Sequence, residues 1–78
     1  MKIKLYYAED HKTIMFEIDG KSSLAADLFM GLVLLKKEDI RDKFGPTIPT
    51  IELDGDVDEK LYDTKKEFDK IFDEVFTY

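Results

Sequence analysis

SSLAADLFMGLVLLKKEDIRDKFG, residues 22–45, is the stretch whose reading decides the fold. From Leu24 to Leu35 only Asp27 and Gly31 interrupt the apolar residues, a run too long for an ordinary core strand. Read as a helix, Ala25, Leu28, Phe29, Leu32 and Leu35 share one face at i, i+3, i+4 spacing. Ala26, Met30 and Val33 widen that face, whereas the line through Leu24, Asp27, Gly31, Leu34 and Glu38 is mixed. A helix apolar nearly all round has to be covered on more than one side. The expectation is a helix at the centre of the core, with Leu28, Phe29 and Leu32 buried under a sheet, a second helix or a partner chain. Ser22 or Ser23 supplies its N-cap oxygen. It breaks or bends near Lys36-Lys37, and Asp39 caps a short continuation in which Ile40 and Phe44 pair. Gly45, in a left-handed conformation, and Pro46 then end it.

Upstream of this helix the chain alternates. Met1, Ile3, Leu5 and Tyr7 are interleaved with Lys2, Lys4 and Tyr6, and Ile14, Phe16 and Ile18 with Met15, Glu17 and Asp19. Both are the period-two pattern of half-buried strands. The polar link Glu9-Asp10-His11-Lys12 makes them an antiparallel hairpin, and Asp19-Gly20 ends it. Downstream, residues 47–53 (TIPTIEL) read as a third strand, on an edge because Pro49 has no N–H for a ladder. Asp54-Gly55 is a two-residue hairpin signal. Residues 56–63 offer only Val57, Leu61 and Tyr62 as inward candidates, and fit either a weak fourth strand or irregular chain or the first turns of a helix. Thr64-Lys65-Lys66-Glu67 matches a capping box, which favours the first alternative. Phe68, Ile71, Phe72, Val75 and Phe76 then form an amphipathic helical stripe.

The order is β-β-α-β-(β)-α, an α+β single domain over residues 1–78, with two helices on an antiparallel or mixed sheet. Gly45-Pro46-Thr47-Ile48-Pro49-Thr50-Ile51-Glu52-Leu53-Asp54-Gly55, following an apolar helix, resembles the cis-proline strand and next hairpin of glutaredoxin-like thioredoxin folds. The resemblance implies that Thr47-Ile48-Pro49 is a cis-proline segment and Asp54-Gly55 the next turn. It extends over about a third of the chain. The sequence has no cysteine, and only a short turn stands where that fold places its first helix. The resemblance therefore implies neither membership nor redox activity.

At 78 residues with 44% hydrophobic and 13% aromatic content, the chain can fold around one small core despite 38% charged residues. Absence of cysteine excludes a disulfide framework, a thiolate zinc site and thiol chemistry, and fits an intracellular, cytoplasmic protein. The amino end alternates instead of running apolar, so no signal peptide is expected. The apolar run at 24–35 is shorter than the ~20 residues of a membrane-spanning helix.

Net charge is −6, and its placement is uneven. Eight acids and eight Lys/Arg cancel over residues 1–51, whereas residues 52–78 carry ten acids and four lysines. Such an end repels nucleic acid and anionic membrane and favours basic partners, or else serves solubility alone.

No constellation for catalysis stands out. His11 has Glu9 and Asp10 beside it in a hairpin loop and reads as an exposed loop residue. The glycines form no phosphate-cradling loop. Asp54, Asp56, Asp58 and Glu59 suggest a calcium loop. Counted from Asp54, however, Glu59 holds the position that needs glycine, and Lys65 the position of the bidentate glutamate. No cofactor and no metal are expected, and no enzyme activity. The solvent side of the last helix presents Asp63, Glu67, Asp69, Asp73 and Glu74, continuing the acids at 54–59. Carboxylates four residues apart rise about 6 Å along a helix, the scale of backbone phosphate spacing. Asp73 and Glu74 lie in the last turn, where the macrodipole disfavours anions. Lys66–Asp69, Lys70–Asp73 and Lys70–Glu74 are nonetheless at ion-pair spacing, as on an ordinary solvated face.

Two readings of function follow. In the first, Asp54, Asp56, Asp58, Glu59, Asp63, Glu67, Asp69, Asp73 and Glu74 contact a partner protein with a basic surface. The chain then inhibits or regulates that partner, in the manner of phage-type anti-defence proteins and DNA mimics, without itself binding nucleic acid or membrane. In the second, the chain is a general protein-interaction module, or a homodimer subunit, using its apolar helix or a free strand edge.

Overall fold

The alternating amino end forms β1 (Lys2–Tyr7) and β2 (Ile14–Ile18) in a computed structural model of the chain, which describes residues 1–77. The strands pair antiparallel with Leu5 opposite Phe16 and Tyr7 opposite Ile14. Alternation sends Ile3, Leu5 and Phe16 to one face, and Lys2, Lys4, Tyr6 and Glu17 to the other. Asp10 shapes the connection: its carboxylate accepts from the backbone N–H groups of Lys12 and Thr13 and from the Thr13 hydroxyl. His11 is exposed within that loop, with φ 59°. Asp19 and Gly20, at φ 52° and 80°, form a two-residue turn with both residues left-handed, the geometry that matches strand twist.

That turn returns the chain along β2 as β3 (Lys21–Leu24), paired antiparallel with Ile18 opposite Lys21 and Met15 opposite Leu24. Ser22 and Ser23 are therefore strand residues and not the N-cap of the helix. The cap position is Leu24, which has no side-chain capping bond, and the Ser22 hydroxyl instead accepts from Tyr6 at 2.7 Å.

β4 (Thr50–Leu53) lies on the other side of β1 and runs parallel to it, giving a four-stranded mixed sheet of order β3-β2-β1-β4. The cis peptide bond precedes Pro46, not Pro49, so residues 47–49 are not the cis-proline segment that the thioredoxin resemblance implies. Among the described residues no further strand follows Asp54-Gly55. The last helix begins at Glu59, upstream of the Thr64 capping box, because Asp58 caps it by accepting from the Leu61 N–H at 2.9 Å. The Thr64 hydroxyl donates to the Lys60 carbonyl one turn inside that helix. Of the inward candidates in 56–63, only Leu61 is buried, while Val57 and Tyr62 are exposed.

Three helices cover one face of the sheet: α1 (Ala25–Leu34), α2 (Lys37–Phe44) and α3 (Glu59–Phe76). Ile3, Leu5 and Ile51 from the strands meet Ala25, Leu32, Ile40, Phe44, Leu61, Phe68, Phe72 and Val75 from the helices in one buried cluster. Phe44 packs edge-on against Phe72 at 5.4 Å, and Phe29 against Phe68 at 6.0 Å. Arg41 donates from Nη1 to the Val75 carbonyl at 3.1 Å. It thereby ties α2 to the negative end of α3, where Asp73 and Glu74 add charge of the wrong sign. The break expected near Lys36-Lys37 separates α1 from α2. Gly45 closes α2 with φ −78°, so it is not left-handed. Glycine is needed there for space, since a Cβ would run into the Arg41 carbonyl oxygen.

The central helix is α3, not α1. Leu32 is buried at 3% exposure as expected, but Leu28 is half-buried and Phe29 is 36% exposed. The longer α3, with its large phenylalanines, packs over β1 and β4, which leaves α1 above β2 and β3 at the margin of the sheet. Ala26, Asp27, Met30, Val33 and Leu34 consequently face solvent.

Candidate protein-binding surface

The acids of the last third of the chain divide into those held by internal contacts and those left outside. Asp54 accepts from the Gly55 N–H and shapes its own turn. Asp58 caps α3 and also accepts from the Tyr7 hydroxyl at 2.6 Å, joining β1 to the start of α3. That hydrogen bond pushes the Tyr7 phenol up to about 12. The same bond, with the Leu61 N–H, holds the Asp58 carboxyl below the usual carboxylate range. Asp69 is paired with Lys65 at 2.6 Å. Asp56, Glu59, Asp63, Glu67, Asp73 and Glu74 are exposed and make no ion pair among the described residues. Pairs of Lys66 with Asp69 and of Lys70 with Asp73 or Glu74 do not form. The ammonium of Lys66 lies over the Tyr62 ring at 4.7 Å instead, and Lys65 takes Asp69.

A pH dependence follows from two depressed carboxyls. The Thr13 hydroxyl, the Thr13 N–H and the Lys12 N–H lower Asp10 from 3.8 to about 2. Asp58 moves in the same direction. A carboxyl lowered in the folded state contributes stability that is complete above its unfolded value and is lost as pH falls through its folded value. For Asp10 that window is pH 3.8 down to about 2. Urea midpoints should fall across it, and Asp10→Asn should flatten the fall while lowering the midpoint at neutral pH. A variant curve as steep as wild type would contradict this role.

Glu59, Asp63 and Glu67 stand at i, i+4 and i+8 on α3, a single row along one side. With Asp58, Lys60 and Thr64 they line a shallow groove of about 540 Å³. Asp54 and Asp56 precede α3 in the loop and do not line it. Asp73 and Glu74 lie further along α3, about 9–11 Å beyond Glu67 by helical rise. The structure thus brings part of the acidic set together and leaves the rest dispersed.

Beside this groove is a feature that sequence reasoning missed. Ile14, Leu24, Phe29, Met30 and Phe68 line an apolar cleft of about 420 Å³ between α1, β2 and α3. Its polar members are Thr13, Thr64 and Glu67, and the last two also line the acidic groove. The cleft exists because α1 sits at the sheet margin and leaves Phe29 partly uncovered. Its signal in the sequence was the apolar character of α1 all round, which reads equally well as complete burial.

Comparison with protein-family models, curated proteins and solved structures finds no match to this chain. Among the described residues no group of three or more His, Asp or Glu is arranged to hold a metal ion. No helix among them is long and apolar enough to cross a membrane.

Proposed function

We propose that this protein is a small acidic regulator that binds a partner protein through a basic surface and acts by occupying that surface. The observation that carries the reading is the shared lining of Thr64 and Glu67, which places the apolar cleft and the acidic groove side by side. Exposed ion pairs contribute only about 0–1 kcal/mol each, so a charged row alone gives weak binding. An apolar anchor seated between Phe29 and Met30 supplies affinity, while Glu59, Asp63 and Glu67 select basic neighbours and speed encounter. In its sharpest form the partner is a nucleic-acid-binding protein. The row of carboxylates, spaced about 6 Å apart, then stands in for phosphates and excludes the nucleic acid, as phage-type anti-defence proteins and DNA mimics do.

The test is capture of the partner from host extract, followed by titration at two ionic strengths with wild type, Asp63→Lys/Glu67→Lys and Phe29→Ala. Raising salt shortens the screening length from about 10 Å at 0.1 M to about 3 Å at 1 M. Affinity should drop steeply with salt and with the double reversal, and Phe29→Ala should weaken it at both ionic strengths. A partner indifferent to salt and to the reversal would refute the acidic site and leave an interaction module held by apolar contacts.

A further inference from the structure

The side of α1 turned away from the sheet is apolar. Met30, Val33 and Leu34 are 61%, 63% and 80% exposed, and Ala26 beside them is exposed as well. These positions recur at i, i+4, i+7 and i+8, one continuous stripe on a helix. Single exposed apolar residues are ordinary, but a contiguous stripe marks a contact surface.

The charges at its two ends say what covers it. Asp27, in the first turn, is the only charged residue of α1, and past Leu35 the first charges are Lys36 and Lys37, ahead of Glu38 and Asp39 in the first turn of α2. A second α1 laid antiparallel on the first sets each Asp27 against the lysines of the other copy, at both ends at once. It also opposes the helix dipoles. A parallel arrangement would bring like charges together. An antiparallel pair of this kind is self-complementary about a two-fold axis perpendicular to the helices. We propose that the protein forms an isologous homodimer in which α1 packs antiparallel on α1 of a second copy through Met30, Val33 and Leu34. The acidic row of α3 takes no part in this contact, but Met30 borders the apolar cleft as well, so the two readings are told apart by Leu34→Glu, outside the cleft, and by Asp63→Lys/Glu67→Lys, outside the dimer contact.

Sedimentation equilibrium of the full chain tests it, with a dissociation constant on the order of micromolar expected for so small an apolar contact. Leu34→Glu and Val33→Glu should each weaken association by at least about tenfold. Both side chains are exposed, so circular dichroism and urea midpoints of the monomer should stay near wild type. The chain has no cysteine, so Val33→Cys introduces a single thiol close to the proposed axis. Mild oxidation should convert it to a covalent dimer, whereas Ser22→Cys on the free edge of β3 should stay monomeric. A wild-type monomer at high micromolar concentration would overturn the proposal. So would a dimer that survives Leu34→Glu, or cross-linking through Ser22→Cys in place of Val33→Cys.

Discussion

Phe72→Ala should be the most damaging single substitution, costing about 3–5 kcal/mol and leaving much of the protein unfolded at room temperature. Phe72 is fully buried, at 0% exposure, and its ring packs edge-on against Phe44 at 5.4 Å. It belongs to the cluster in which α3 meets α2 and the central strands. Truncation removes the ring from the middle of that cluster and leaves a cavity that helices on both sides can fill only in part. A domain of this size has about 4–12 kcal/mol to lose at 0.05–0.15 kcal/mol per residue. The measurement is a urea melt followed by circular dichroism, in which the midpoint should shift far to lower denaturant at constant slope. A midpoint within error of wild type would mean that α3 is not the helix on which the core is built.

The second large effect is a contrast within one helix. Leu32→Ala should cost about 2–5 kcal/mol as a core truncation, because Leu32 is 3% exposed within the buried cluster. Leu34→Ala, two residues along, should change monomer stability by less than about 0.5 kcal/mol, as surface substitutions do, because Leu34 is 80% exposed. The side chains are identical, so the difference reports only which side of α1 faces the sheet. Urea melts at low protein concentration, where self-association does not contribute, measure both. Equal costs would show that α1 is covered all round, contrary to its place at the sheet margin.

Sequence alone determined the elements whose side-chain period is unambiguous. The alternation of Ile3, Leu5, Ile14, Phe16 and Ile18 specifies β1 and β2, and the stripe through Phe68, Phe72 and Val75 specifies the body of α3, since period two and period 3.6 sort the same residues differently. The break between α1 and α2 and the α+β class followed from the same local signals. Tertiary structure decided the rest. Lys21-Ser22-Ser23 has no strand-like apolar pattern and becomes β3 because the Asp19-Gly20 turn delivers it to the open edge of β2. The start of α3 moved upstream because Asp58 caps it while bonded to Tyr7, 51 residues away, a partner no local window contains. Both α1 and α3 carry enough apolar surface to be central. The longer, phenylalanine-rich helix took that place, and α1 was left with an apolar side in solvent. The meeting of Glu67 and Thr64 with Phe29 and Met30 is likewise a product of packing, since hydrophobic periodicity says that a face is apolar but not what will cover it.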